Sequence, residues 1–339
     1  MRPLLAVAVV FVVPSLHAGA QRSLPPLPVF EGRPIALSQA QLLALSHGEP
    51  VVEVLDSHDG RVVAVFGIAA VDAERKAFIA RLTNFAISLR TPAMQGFGLF
   101  ATPATATNVG AFTVSPADAA SLKACRPGKC EFKLPAAEMA RARATLDSGA
   151  SGAARLVAYA RRRAADYVNT YRARGNAAMV VYDDFGTTGV RASDAFAALL
   201  AASPWLSQNA PGLLQYLQNY PLARPAGASE AIYWSVETTK GLRPTMTINH
   251  VVVLSPADRP RVTVEARKQI FASHYFEGAL ELLVAIDRAD APSGEGTWVI
   301  VLRQYRFDHL PEGILNIRGK AKASARERVS ADLRRMQQP

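Results

Sequence analysis

Between Ala231 and Phe307 the chain reads as five consecutive strands joined by short connections: Ala231–Thr239, Thr245–Leu254, Arg261–Ala272, Ala279–Ile286 and Thr297–Phe307. Each segment is rich in β-branched and aromatic residues and is bounded by Gly, Pro, Asp or Ser, the composition of strands and of the turns between them. Connections this short join antiparallel neighbours and leave no room for the crossovers that parallel strands need. An antiparallel meander is therefore the expected centre of the fold. Its apolar face must be covered. Gly319–Met336 reads as the covering helix, with Ala321, Ala325, Val329, Leu333 and Met336 along one side at helical spacing.

Upstream, Val51–Leu55 and Arg61–Val71 read as strands, the second long and apolar. Asp72 is placed to cap a helix carrying Phe78, Leu82 and Phe85, and Met94–Phe100 reads as a further strand. From about Ser115 to residue 228 the chain is mainly helical. Ser115-Pro116 starts one helix with Pro in its first turn. Pro135–Leu146, Gly152–Arg174, Ser193–Ala202 and Pro211–Tyr220 follow. Gly175–Asp183 fits a helix or a strand. If Ala177–Asp183 is a strand, residues 176–337 form a compact unit alone and 48–135 a separate one. Contacts between Val62–Val71 and the meander discriminate between the two layouts.

At the N-terminus, Arg2 precedes a ten-residue apolar run from Leu4 to Val13, closed by Pro14. A membrane-spanning helix needs roughly 20 apolar residues. Ala18-Gly19-Ala20 follows, the small-x-small pattern of a signal-peptidase site. The reading is a signal peptide over 1–20, cut between Ala20 and Gln21, and a mature protein in the periplasm or secreted. A Pro-rich leader over 21–47 comes next, then one domain over 48–338 with a helical insertion at about 115–228. The two cysteines, Cys125 and Cys130, flank Arg126-Pro127-Gly128-Lys129. Pro then Gly suits a type II turn, which sets the flanking residues opposite each other. Oxidising surroundings after export favour a structural disulfide there. Formal net charge is +10, with arginines spread along the helices. Export leaves nucleic acid a poor partner, and an anionic membrane surface a candidate one.

The order of elements is strand, helix, strand, helical stretch, five strands, C-terminal helix. Without the helical stretch, the chain resembles the START and polyketide-cyclase-like superfamily. The local resemblance runs through Val71-Asp72-Ala73-Glu74-Arg75-Lys76-Ala77-Phe78-Ile79-Ala80-Arg81-Leu82-Thr83-Asn84-Phe85, and again at Asp308-His309-Leu310-Pro311-Glu312-Gly313 before the last helix. Asn84 stands where an acidic residue is usual. The resemblance covers roughly residues 61–101 and 230–337. It implies an α+β helix-grip fold, a curved antiparallel sheet with a long C-terminal helix, holding a hydrophobic small molecule or lipid beneath that helix. The chain is also similar to a family of exported bacterial proteins, which implies no activity.

The chemistry-bearing residues point the same way by what they lack. No HExxH or comparable metal spacing, no Gly-x-Ser-x-Gly elbow and no phosphate-binding glycine loop occurs. No catalytic set, metal or cofactor is assigned. The candidate ligand-binding residues are Tyr233, Phe271, His274, Tyr275, Trp298 and Arg303: aromatics and one His on the strands, with an Arg that could hold a carboxylate or headgroup. A buried Arg needs a partner, and Glu237, Glu265 and Asp308 are the candidates. Two other readings stay open. One is an enzyme of cyclase or hydrolase type using His274, Tyr275 or Asp308. The other is an envelope-associated interaction protein using the basic helical faces.

Overall fold

All ten residues of the strand Val62–Val71 are buried, so both faces of the sheet at this point are covered. The computed structural model describes residues 24–149, 151–238, 242–289, 295–308 and 317–338. The cleavage site at Ala20 and Gln21, the turn at Gly241, and His309 lie outside the described residues.

A small hairpin, β1 (Val29–Phe30) and β2 (Arg33–Pro34), and a helix, α1 (Gln39–Ser46), precede β3 (Val51–Leu55) and β4 (Val62–Val71). Helices α2 (Arg75–Thr83) and α3 (Phe85–Ser88) lead to β5 (Met94–Leu99). The helical segment holds α4 (Pro116–Ala124), α5 (Ala136–Leu146), α6 (Gly152–Arg174), a two-stranded hairpin of β6 (Val181–Tyr182) and β7 (Val190–Arg191), then α7 (Ala192–Ala201), α8 (Trp205–Asn209) and α9 (Pro211–Asn219). The meander is β8 (Ser229–Glu237), β9 (Thr245–Leu254), β10 (Val262–Ala272), β11 (Phe276–Asp287) and β12 (Thr297–Phe307), and α10 (Ile317–Gln337) follows.

The main sheet has eight strands in the order β3-β4-β12-β11-β10-β9-β8-β5. Every neighbouring pair is antiparallel. β4 pairs with β12 along its length, from Val62 opposite Arg306 to Val71 opposite Thr297. Val62–Val71 and the meander therefore share one sheet. The ambiguous 175–183 segment is a short turn followed by β6, which pairs with β7 and not with the main sheet. Asp72 does not cap α2; the cap position is Glu74, and Asp72 lies 3.2 Å from Arg288.

One face of the sheet carries α2 and α10. Val63, Val65, Val299 and Val301 pack there on Phe78, Leu82, Ala325, Val329 and Leu333. Burial of Val329 and Leu333 contributes about 1.5–3 kcal/mol each. Gly67 lets α10 come close: a Cβ at this position would lie 2.7 Å from Val329 Cγ1 and 2.8 Å from Leu333 Cδ1. Toward β9–β11 the same face turns ionic. Arg267 Nε meets Glu265 at 2.5 Å, and Arg303 bridges Glu281 at 3.1 Å and Asp332 of α10 at 2.7 Å.

The opposite face is covered by the helical segment. Phe66, Ile68, Leu282, Ile300 and Leu302 pack with Val168, Phe196, Leu199 and Leu213 in one apolar cluster. Polar residues also lie on this face. Cross-strand pairing sets His250 beside Lys268, Lys268 beside Leu280, and Leu280 beside Gln304. Each of the three polar residues is at most 1% exposed and each has a helical-segment partner. Gln304 donates to Ser203 Oγ at 2.6 Å, Lys268 donates to Asn176 Oδ1, and His250 meets Tyr171. Asn176 follows Gly175, which ends α6 at φ 59; a Cβ there would fall 1.5 Å from the Tyr220 carbonyl oxygen. Only glycine combines that left-handed backbone with so close an approach. Among the described residues no helix is long and apolar enough to cross a membrane.

Candidate functional site

Two helices, α5 and α6, and two strands, β9 and β10, frame an apolar cavity on the face opposite α10. Leu156 and Ala164 of α6 and Ala142 of α5 form one wall, and Met246 and Ile248 of β9 with Phe271 of β10 form the floor. Its volume is ≈ 190 Å³. A cavity of about 150 Å³ lined by Leu, Ile and Phe holds benzene, and drug-sized sites run to about 300–1,000 Å³. The volume here fits one ring or a short acyl chain.

The remaining wall comes from the segment after the cysteines. Cys125 and Cys130 are bonded, with sulfurs 2.04 Å apart. The turn between them docks on the 183–186 loop: Gly128 N–H donates to the Asp183 carbonyl at 2.7 Å, and Cys130 N–H to that of Asp184 at 3.0 Å. Lys133, 2% exposed, places its ammonium 3.1 Å from the Asp184 carboxylate and 4.6 Å from the Tyr182 ring centroid. Anchored on both sides of it, Phe132 and Leu134 close the cavity.

At the inner end, the Tyr167 hydroxyl donates to the Ile270 carbonyl at 2.5 Å and accepts from Val180 N–H at 3.3 Å. Burial pushes its pKa up, so it stays protonated. The charged groups gather at the mouth. Glu138 accepts from the Tyr159 hydroxyl at 2.5 Å and pairs with Arg163 at 3.0 Å and Arg141 at 3.1 Å. Burial raises the Tyr159 pKa, and its hydrogen bond to Glu138 raises it further.

The six residues expected at a ligand site do not converge. Phe271 lines the cavity, and His274 stands behind its wall, its ring 4.4 Å from that of Phe132. His274 Nδ1–H donates to the Glu131 carbonyl at 2.8 Å, and burial lowers its pKa, which keeps it neutral. Tyr275 sits at φ 64 in the turn before β11, and its hydroxyl accepts from Arg243 N–H at 2.9 Å. Tyr233 lies on the other face with Leu89 and Val251. Trp298 packs in the core under Arg288, whose guanidinium is 5.6 Å from the indole ring centroid. Arg303 is taken up by Glu281 and Asp332, not by the acids the sequence offered. Asp308 lies 3.5 Å from Lys133, so His274, Tyr275 and Asp308 each face different partners. The correction for Phe271 has a specific cause. A register shift between Gln269 and Phe271 turns Phe271 away from the face of Glu265 and Arg267.

Two further features escaped the sequence reading. A second crevice of ≈ 290 Å³ lies among α7, α8 and α9, with Ser193, Ser203, Ser207 and Asn176 in its walls. Between it and the sheet runs a buried polar chain. Tyr171 O–H donates to His250 Nδ1 at 3.1 Å, and His250 Nε2–H donates to Glu230 at 3.1 Å. Tyr216 O–H reaches the same carboxylate at 2.6 Å. Burial would raise the Glu230 pKa, but the bonds from His250 and Tyr216 hold it down to about 2. Burial lowers that of His250 against the pull of Glu230. Tyr171 is 0% exposed, and these hydrogen bonds tie α6 and α9 to the sheet. The sequence signal for this network is a His and a Glu on strands, His250 and Glu230, and their adjacency needs the strand register. Comparison with protein-family models gives no match, and comparison with curated protein sequences gives none either.

Proposed function

We propose that this chain is an exported binding protein for a small hydrophobic molecule. The frame is read as a START-like helix grip, and the ligand sits in the cavity between α5, α6 and the β9–β10 floor, not beneath α10. The observation that carries the reading is the separation of chemistry within that cavity: an apolar body of Leu156, Ala164, Ile248 and Phe271, with charge confined to Glu138 and Arg163 at the mouth. Ligand sites of soluble proteins have this character, apolar walls with a few placed polar groups. The volume favours a single ring or short chain over a whole lipid. Export is supported by the apolar N-terminal run before Ala18-Gly19-Ala20 and by the Cys125–Cys130 bond.

The test is titration of the mature protein with 1-octanol, followed by NMR of the methyl groups of Leu156, Ile248 and Met246. Saturable shifts confined to the cavity are expected. Ala164→Phe fills the space and abolishes them while thermal unfolding stays cooperative. Absence of any saturable shift in the unaltered protein refutes the binding reading.

A further inference from the structure

The cavity is neutral inside and charged at one rim, and the charges there are unequal. Resting on the reading of this cavity as a ligand site, we propose that it selects an apolar molecule ending in a carboxylate, with the anionic end held by Arg163.

The Glu138 carboxylate is engaged by three donors: Tyr159, Arg163 and Arg141. An incoming cation therefore meets a carboxylate already neutralised. Arg163 is different. Its side chain is 43% exposed and meets Glu138 through Nη2 at 3.0 Å and Asp166 through Nη1 at 3.8 Å. A guanidinium carries five N–H donors in a planar fork, so two contacts leave a free edge that matches a second carboxylate.

The surroundings have the same sign. From residue 136 to residue 174, α5, α6 and their loop contain eight arginines against three carboxylates. Such a surplus raises the local concentration of anions and lowers that of cations. Glu138 shows that this site holds a carboxylate at hydrogen-bonding distance from two arginines and a tyrosine. It also partly competes for them.

The experiment compares octanoate, 1-octanol and octylamine, which share a chain and differ in the charge of the head. Each is titrated into the full mature protein at low salt, below its aggregation concentration. Octanoate is expected to bind about two- to fivefold more tightly than 1-octanol, the range for a partly exposed ion pair, with octylamine weakest. Salt narrows the difference. Arg163→Gln removes the preference for octanoate over 1-octanol. Glu138→Gln strengthens octanoate, because a competing carboxylate is gone. Equal binding of octanoate and 1-octanol, or tighter binding of octylamine, overturns the carboxylate assignment while the cavity reading stands. If none of the three binds, both fall together.

Discussion

The Lys268 ammonium lies 4.4 Å from the ring centroid of Phe196, deep between the sheet and α7. It is 0% exposed, and its hydrogen-bond partner is the neutral Asn176 side chain. Burial lowers its pKa to about 7. In the unfolded chain a lysine titrates near 10.4. Between these values the unfolded chain holds a proton that the folded chain lacks. Lys268 therefore makes stability rise as pH climbs from about 7 toward 10; the gain is gone again once pH has fallen back to about 7, below which both states hold the proton. Lys268→Met is expected to raise stability at pH 7 by about 1–4 kcal/mol, as apolar replacement of buried charge does. Urea unfolding of the variant at pH 7 and pH 9 should give a flatter pH dependence than the unaltered chain. An unchanged slope refutes the assignment to Lys268.

Glu230 gives a slope of the same sign in a more acidic window, but here folding favours the charged form. Its folded pKa is held to about 2, below the ordinary carboxylate value. The stability it supplies is full above about pH 5 and is lost as pH falls toward 2. Glu230→Gln should cost up to about 3 kcal/mol at pH 7, and the difference should shrink toward zero as pH falls to about 2 and Glu230 itself becomes neutral. Acid titration of the Tyr fluorescence of both proteins reads the difference.

At Gly67 the close approach of α10 gives a test of the helix–sheet contact. Gly67→Ala places a methyl 2.7 Å from Val329 Cγ1. Overpacking of this kind costs about 1–3 kcal/mol. Val329→Ala removes one of the two obstructing atoms, the other being Leu333 Cδ1, so the double variant should be more stable than the sum of the single losses, by at least about 0.5 kcal/mol. Strict additivity in a denaturant double-mutant cycle shows that the two positions do not meet.

The disulfide is expected to act on the cavity wall more than on the fold as a whole. Its loop is short, and loop-closure entropy sets its worth at about 2 kcal/mol. Cys125→Ser with Cys130→Ser should lower stability by that amount and loosen Phe132 and Leu134. Amide hydrogen exchange should accelerate at residues 126–134 while the β10–β11 amides remain protected. Uniform acceleration across the sheet contradicts this local role.

Long elements with strong local chemistry were legible in the sequence. Gly152–Arg174, Thr245–Leu254 and Thr297–Phe307 stand as read, because period and composition agree along their whole length. The large antiparallel sheet and the C-terminal helix followed from the same signals. What failed was whatever depended on register or on long-range placement. The Phe78–Phe85 helix breaks at Asn84 into α2 and α3. Trp298 and Arg303 were expected at one ligand site, yet they face opposite sides of the sheet. Phe271 was named for a space under α10 and reached the cavity on the other face through a one-residue shift in register. Ala142, Leu156 and Ala164 carry no mark that distinguishes a cavity wall from ordinary helix packing. Arg163 reads as part of a solvated helix face, because nothing local says that α5 and α6 fold over the sheet.

The enclosed strand β4 has a consequence for how the chain tolerates change. A sheet with one wet face can absorb polar substitutions at alternate positions; from Val62 to Val71 alternate residues face different helical layers, and none is more than 8% exposed. The strand behaves as a party wall. Enlarging a side chain on one side pushes against α10, and on the other against the insertion, so drift in either layer must be answered within that layer. The two helical coats are thus free to diverge from each other, while the wall between them accepts little but the exchange of one apolar residue for another of its size.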